Sequence, residues 1–295
     1  MKHFEFTWTP PADRNVAILA FNGWSDAGSA ATSAIERLAE HTGAREFAAL
    51  DPDAFYDFQV TRPEIHVTDG IIEDLAWPQN TLSYAGAEGL GAKMHAGYVF
   101  GNMHEPNLYW RDYVAAICDL IDTLAIRRIF TLGSLLSDVP HTRPATIVGT
   151  ATSAELRDRL GIDGADYEGP TGIVGVLQHE FAKRGIEAAS MWASVPHYVS
   201  MSPNPKGILA LLDAIAPLLG LDETIDLDDL RAEAAEFESE VDEAIQDNPE
   251  ISAYVDMLED RSDTQEPAPL VESQMPSGDE LASEVQAFLR LHDDD

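Results

Sequence analysis

Cysteine is nearly absent from this sequence, and its scarcity excludes two kinds of architecture. The 295 residues include one cysteine, Cys118, so neither a disulfide framework nor a thiolate metal site can be built. Cys118 lies in a stretch with helical periodicity, where a buried thiol acts as a small apolar side chain. We therefore expect stability to come from an apolar core, for which a hydrophobic content of 45% is ample.

Positively charged residues are also scarce in this sequence. The chain has 18 Lys and Arg against 52 Asp and Glu, a net charge of −34. Such a protein repels phosphate backbones and anionic lipid surfaces, so we expect neither nucleic acid nor membrane as a partner. The charge is uneven, because residues 222–295 carry 25 acidic and 3 basic residues, whereas residues 1–221 carry 27 and 15. The last quarter is therefore a distinct, strongly acidic segment.

Long apolar runs are also missing. The longest, ILALLDAIAPLLGL, is interrupted by Asp213 and is too short to cross a bilayer. The first residues, MKHFEFTWTPPADRN, lack the apolar segment of a signal peptide. The sequence thus predicts a cytoplasmic protein.

Predicted strands and helices alternate along residues 1–221. Apolar runs of strand length are Val16–Phe21, Phe47–Leu50, Ile65–Ile72, Thr81–Ala85, Arg128–Leu132, Thr146–Thr150 and Ala188–Ala193. Stretches with helical character or periodicity are Ser29–His41, Asn107–Ala125, Ser153–Leu160, Gly172–Arg184 and Pro205–Leu219. This alternation predicts an α/β domain with a largely parallel sheet.

The acidic segment has a different pattern, typical of a helical hairpin. Apolar residues recur at three- and four-residue steps at Leu227, Leu230, Ala234, Phe237, Val241 and Ile245. Asn248-Pro249 interrupts the helix, and Ile251, Val255 and Leu258 begin another. We expect residues 222–261 to pack this apolar seam on the body or on a neighbouring subunit. Residues 262–276 have the composition of a linker, and a capping box at Ser277 predicts a short terminal helix and acidic tail over residues 277–295.

The tripeptide Val-Pro-His occurs twice, in DVPHTRP and SVPHYVS, each time after a predicted strand. Ligands of open parallel sheets bind where the strands end, so both copies could contribute to a site, together with the turn after the first strand. The candidate cleft residues are Gly23, Trp24, Ser25, Asp26, Ser134, His141, Arg143, Glu168 and His197.

Each candidate group also has a purely structural interpretation, which we favour. The GWSDAG turn contains neither a GxGxxG pattern nor a P-loop lysine, and Asp26 would repel an anion but would cap a helix well. Ser134 lies outside any GxSxG elbow, and a metal site would require Asp26, His141, Glu168 and His197 to converge. Each proline can simply mark where the chain leaves its sheet. We therefore assign no catalytic residue, metal or cofactor.

Five stretches resemble the proteasome assembly chaperone 2 family, most closely its actinobacterial branch with an acidic C-terminal helical extension. They are GWSDAG, EPNLYWRDY, DVPHTRP, and YEGPTGIVGVL followed by WASVPHYV. The resemblance covers about residues 14–221. It implies a mixed α/β sheet flanked by helices, similar to the purine nucleoside phosphorylase fold but without its catalytic set. It also implies self-association as a dimer or trimer.

The resemblance implies a non-catalytic interaction or assembly-chaperone-like protein with a protein partner, which the acidic tail suggests is basic. Some relatives bind proteasome α subunits through a C-terminal hydrophobic-Tyr-X ending, whereas this sequence ends LRLHDDD. One alternative, based on fold analogy alone, is a nucleoside- or phosphate-binding protein or enzyme that uses the cleft. Another is a structural homo-oligomer whose tail only covers an apolar face.

Overall fold

The computed structural model describes residues 2–13, 15–68, 70–86, 97–162, 167–199, 201–246 and 248–264. Its strands are β1 (Phe4–Phe6), β2 (Val16–Asn22), β3 (Arg45–Leu50), β4 (Glu64–Thr68), β5 (Ile71–Ala76), β6 (Asn80–Ala85), β7 (Tyr98–His104), β8 (Arg128–Ser137), β9 (Ile147–Ala151) and β10 (Glu187–Pro196). Its α-helices are α1 (Ala30–His41), α2 (Trp110–Thr123), α3 (Ala154–Leu160), α4 (Ile173–Lys183), α5 (Pro205–Leu219), α6 (Asp228–Ile245) and α7 (Pro249–Thr264).

Eight strands form one mixed sheet in the order β1-β3-β6-β7-β2-β8-β10-β9. The four central strands β7, β2, β8 and β10 run parallel, and the strands on both flanks pair antiparallel. In register, Asn22 lies opposite His104, and Ser137 lies opposite Pro196. The central strands therefore end on one side of the sheet, which we call the carboxyl edge. The mixed α/β class predicted from the sequence is confirmed.

Helices cover both faces of the sheet, which explains the continuous apolar run of β2. Leu19 and Phe21 face the layer that contains α2 and α4. Ile18 and Ala20 face the layer that contains α1 and α5. A central parallel strand is buried on both sides, so its sequence has no polar face.

The predicted strand Ile65–Ile72 is wrong, because this stretch contains a turn. β4 and β5 pair antiparallel as a separate two-stranded sheet, with Ile65 opposite Leu75. Gly70 at the turn has φ of 79°, in the left-handed region that glycine adopts readily. The Asp-Gly pair between apolar residues is a strong hairpin signal that the period-two pattern concealed.

Strand β7 was not predicted, although it lies near the middle of the sheet. Its sequence YVFGNMH contains Gly101, which usually weakens a strand assignment. Here Gly101 lies opposite Leu19 and Leu82, and a Cβ at this position would come within 2.6 Å of the Leu19 Cδ2. The glycine is thus explained by close packing between neighbouring strands.

The predicted C-terminal helical hairpin is present as α6 and α7. Leu227 and Leu230 extend the core that contains α1 and α5. The remainder of the seam packs around the segment that follows β10 in a third cluster, formed by Tyr198, Val199, Phe237, Val241, Ile245, Ile251, Tyr254, Val255 and Leu258. The hairpin therefore packs on the body of its own chain.

The predicted division of the chain at residues 221, 261 and 276 stays a prediction. Helix α7 continues to Thr264, and residues 265–295, with the predicted terminal helix, lie outside the described residues. None of the described helices combines the length and the apolar character needed to cross a membrane.

Candidate functional site at the carboxyl edge of the sheet

Asp26, in the turn after β2, holds the beginning of α1. Its Oδ1 accepts hydrogen bonds from the backbone N–H groups of Ala31 at 2.8 Å and Thr32 at 3.3 Å, and its Oδ2 accepts from the Thr32 hydroxyl at 2.5 Å. Burial raises the pKa of Asp26, and these hydrogen bonds oppose that increase. The carboxylate therefore works as a helix cap at the candidate cleft.

Ser134 lies beside Asp26 but is not activated as a nucleophile. Its Oγ donates to the carbonyl of Ala27 at 2.8 Å and lies 3.5 Å from the Asp26 Oδ1, while its backbone N–H donates to the carbonyl of Ser25 at 2.9 Å. Within the described part of the chain, no histidine contacts the Ser134 hydroxyl. This pair connects the turn after β2 to β8.

Gly23, Trp24 and Ser25 form the wall of the turn next to the start of α4. Ser25 is fully buried, and its Oγ has no hydrogen-bond partner among the described residues. The Trp24 indole is 66% exposed. Glu105, which is not among the predicted cleft residues, accepts from the Ile173 N–H at 2.7 Å and caps α4. Because β7 was not predicted, nothing indicated that Glu105 would reach this edge.

His141, in the first Val-Pro-His copy, is buried and bonded at both ring nitrogens. Nδ1 lies 2.8 Å from the Tyr198 hydroxyl, and Nε2 lies 3.0 Å from Oδ1 of Asp242 on α6. These contacts are satisfied when the Tyr198 O–H donates to Nδ1 and Nε2–H donates to Asp242. Burial lowers the pKa of His141, whereas Asp242 raises it. A neutral imidazole thus joins the body to the hairpin.

Two basic residues close to His141, one in sequence and one in space, also bind the hairpin. Arg143 contacts Asp263 on α7 through two hydrogen bonds of 3.0 Å and lies 3.4 Å from Glu259. Lys206 on α5 donates to the His141 carbonyl and to Glu238 on α6. Carboxylates of the acidic hairpin therefore occupy the cationic surface at the carboxyl edge.

His197, in the second Val-Pro-His copy, occupies an aromatic contact beneath α7. Its ring meets those of Tyr198 and Tyr254 edge to face, each at a centroid distance of 5.7 Å. Its Nδ1 lies 3.3 Å from Asp138, which also accepts from the Tyr254 hydroxyl at 3.4 Å. The two Val-Pro-His copies are thus joined through the Tyr198 ring, and both contact the hairpin.

The space under the hairpin is small. A cavity of about 10 Å³ lies among residues that include Pro140, His141, Lys206 and Phe237. A water molecule needs ~10–15 Å³, and a small-molecule pocket typically has ~300–1,000 Å³, so no nucleoside fits here in this conformation. Glu168 is exposed in the segment before α4 and has no hydrogen-bond or ion-pair partner in the described part of the chain.

The candidate residues therefore form two structural groups rather than one reactive set. Asp26 and Ser134 fix the turn after β2, whereas His141, Arg143 and His197 hold the hairpin. The described side chains include no cluster of three or more His, Cys, Asp or Glu that could hold a metal ion. Most partners of the second group lie on α5, α6 and α7, and no sequence motif connects them to the histidines.

Comparisons with known proteins give consistent results. The sequence model of the PAC2 family matches residues 20–245. The crystal structure of a PAC2 family protein from Streptomyces avermitilis is 36% identical with a TM-score of 0.72, over 82% of this chain and 99% of that one. A proteasome-assembly chaperone homologue from Mycobacterium tuberculosis is 40% identical with a TM-score of 0.71, over 81% and 99%. The archaeal proteasome activator PbaB from Pyrococcus furiosus shares the fold at 18% identity, with a TM-score of 0.65 over 82% and 99%. No curated protein matches significantly.

Proposed function

Because the chain belongs to the PAC2 family, we propose that it is a non-catalytic protein-binding protein of the assembly-chaperone type. The observation that carries this proposal is that the candidate site is occupied by the protein's own C-terminal hairpin. His141, Arg143 and His197, the histidines and the arginine among the candidate cleft residues, are all in contact with α6 or α7. The edge of the sheet that binds ligands in many α/β proteins here binds the protein's own helices.

The partner is a protein with a basic surface. Asp229 and Glu233 on α6 face Arg37, and Glu238 faces Lys206. Asp242 is hydrogen-bonded to His141. Three other carboxylates, at Glu236, Glu240 and Glu243, are exposed and have no basic partner in the described ranges. Their spacing of four and three residues places them on one outward stripe of α6. Such a stripe steers a basic partner at low ionic strength.

Three further properties belong to the proposal. The protein associates with copies of itself, and it binds neither nucleic acid nor membranes, since its net charge of −34 repels both. Its compartment is the cytoplasm, as predicted from the sequence. Two structural relatives are a proteasome-assembly chaperone homologue and a proteasome activator, so the first partners to test are the subunits of a multi-subunit assembly.

The test is capture of partners from cell lysate by the immobilised protein at low and high salt. We expect salt-sensitive capture by the wild type and weaker capture by the triple variant Glu236→Gln, Glu240→Gln, Glu243→Gln. The control removes three exposed carboxylates elsewhere, with Glu40→Gln, Asp119→Asn and Glu155→Gln, and should behave like the wild type. Equal loss of capture in both variants would show that net charge acts without a docking stripe.

The small-molecule alternative has its own test. Thermal unfolding is measured with nucleosides, inorganic phosphate and divalent cations, each added separately. We expect no increase in melting temperature, because the space at the strand ends is occupied by the hairpin. A ligand-dependent increase that is lost in the His141→Asn variant would replace the proposed function by a binding or catalytic one.

A further inference from the structure

Most of the large apolar side chains that the described residues expose lie at the carboxyl edge of the sheet or on the segment that extends from it. Segment 51–79 leaves the carboxyl edge where β3 ends and returns to it where β6 begins, since Leu50 pairs with Asn80. Segment 105–109 follows β7 at the same edge. The exposed residues there are Trp24, Val60, Ile65, Val67, Ile71, Ile72, Leu75, Trp77, Leu108, Tyr109, Leu136 and Tyr167, each 44% to 70% exposed. Among the described residues, one further large apolar side chain is exposed, Met257 on α7.

The most exposed part of this surface is the β4–β5 hairpin, which we call the arm. Every residue of both strands is exposed, so neither face of the arm packs on its own chain. An isolated two-stranded hairpin is marginally stable in water and needs packing against another element. The arm requires a cover that its own body, as described, does not supply.

A second, strained segment lies beside the base of the arm. The Asn107 side chain accepts hydrogen bonds from the backbone N–H of Asp57 at 3.0 Å and from the Thr61 hydroxyl at 2.9 Å, which fixes it to the chain that leads into the arm. Tyr109 has φ of 53° and remains 68% exposed. A bulky residue in the left-handed region is unfavourable, and such strain often marks interaction sites. We call Leu108–Arg111 the receiving segment.

Charges on the two parts are complementary. The arm carries Glu64, Glu73 and Asp74, none of which pairs with a lysine or arginine in the described structure. Arg111 in the receiving segment and Arg62 before the arm are exposed and have no carboxylate partner among the described residues. One copy of the chain therefore offers both the acidic and the basic half of a contact.

The exposed apolar area fits an association between copies. The aromatic side chains have ~150–250 Å² each, and with the partly exposed aliphatic ones the total over the arm and the carboxyl edge is roughly 1,000 Å². A standard interface buries ~800 Å² per partner, so a partner that contacts both the arm and the edge has enough apolar area available. The arm needs a cover whenever the chain is folded, and a second copy supplies both the apolar area and the opposite charges described above.

We infer that the carboxyl edge is the interface between copies of this chain, in which the arm of one copy lies on the receiving segment of the next. This inference rests on the self-association proposed above and names its surface. A reciprocal arm exchange forms a two-fold dimer, and the same contact repeated head to tail forms a closed ring.

The experiment is light scattering after size-exclusion chromatography at micromolar concentrations. We expect the wild type at two or three times the chain mass of 32.2 kDa. The arm variant Ile71→Asp with Ile72→Asp, and the receiving variant Tyr109→Asp, should each fall to the mass of one chain. Tyr109→Asp preserves the backbone conformation, because aspartate tolerates positive φ. Met257→Asp is the matched control and should keep the wild-type mass.

Mixing the two variants tests the pairing itself. The receiving variant keeps an intact arm, and the arm variant keeps an intact receiving segment. In the mixture the intact arm can lie on the intact receiving segment, so we expect a heterodimer of the two variants. A wild type that is monomeric at all concentrations would overturn self-association. A wild-type oligomer that the substitutions leave unchanged, or a mixture that stays monomeric, would contradict the assignment of the carboxyl edge as the interface but not self-association itself. Circular dichroism checks that each variant remains folded, as expected for side chains that are exposed in one copy.

Discussion

At the scale of single residues, the contacts of His141 give it a structural role and leave neither ring nitrogen free for chemistry. Its ring has no exposed surface, and both of its nitrogens are bonded. The charged and titratable groups that face it are Tyr198, Asp242, Glu238 and Lys206, and burial outweighs the carboxylates in lowering the pKa of His141. Protonation would add charge to a buried ring and remove the acceptor that the Tyr198 hydroxyl needs.

The first prediction follows from this lowered pKa. The unfolded chain binds a proton near pH 6.5, whereas folded His141 binds it only at lower pH. Its contribution to stability is therefore complete above pH 6.5 and is lost as the pH falls from 6.5 through the lower pKa of the folded state. We expect His141→Asn to lower stability by about 1–3 kcal/mol above pH 7, because buried hydrogen bonds are broken. The loss should shrink as the pH falls below 6.5. Chemical denaturation at several pH values measures this difference, and His66→Asn, at an exposed histidine, is the control.

A second prediction concerns the Asp26 cap. Asp26→Ala leaves buried donors of Ala31 and Thr32 without an acceptor, so we expect a loss of about 1–3 kcal/mol. Asp26→Asn keeps one acceptor oxygen and should cost less. Urea denaturation gives both values, and equal stability of all three proteins would contradict the assignment of Asp26 as a structural cap.

At the scale of elements, the α6–α7 hairpin has two kinds of contact with the body. In most of its ion pairs the carboxylate is exposed to solvent, which screens the attraction and limits the contribution of each pair, although the basic partners are partly buried. Its apolar seam is buried, and large-to-small substitutions in such a seam typically cost about 2–5 kcal/mol. The seam therefore holds the hairpin in place, and the charged contacts determine where it lies.

The third prediction separates these two contributions by limited proteolysis. Phe237→Ser with Val241→Ser should make the hairpin sensitive to protease while the α/β body remains resistant. Arg143→Gln, which removes the contacts to Asp263 and Glu259, should leave the hairpin resistant. If the Arg143 variant were cleaved as readily as the seam variant, charge rather than apolar packing would hold the hairpin.

At the scale of the whole molecule, the parts that the sequence predicted are those with local signals. Helix α5 matches its predicted range Pro205–Leu219, because its capping residue Asn204 and its apolar spacing are both visible in the sequence of the helix itself. Strand β7 and the turn in the arm were not predicted. Gly101 fits its strand because neighbouring side chains pack closely against it, and Gly70 forms a turn because it adopts positive φ. Apolar periodicity reports neither of these causes. The contact between His141 and Asp242 spans 101 residues, so it follows from the fold alone.

The fourth prediction concerns the total charge. With a net charge of −34 and mostly exposed ion pairs, self-repulsion should exceed what the pairs contribute. The Debye length falls from ~30 Å at 0.01 M salt to ~8 Å at 0.15 M, so added salt screens this repulsion. We expect the melting temperature to increase with sodium chloride over this range. A decrease would mean that attractive pairs dominate the electrostatic free energy.

The position of the hairpin at the end of the described chain also determines the order in which the protein can be completed during synthesis. Arg37 in α1 forms ion pairs with Asp229 and Glu233, and Arg143 forms them with Glu259 and Asp263. Both arginines therefore leave the ribosome well before their partners. Until α7 has emerged, the nascent body presents an open cationic and aromatic surface at its carboxyl edge. Emergence of α6 and α7 from the ribosome is therefore the event that closes this surface, and a chain cut short before α6 would keep it open.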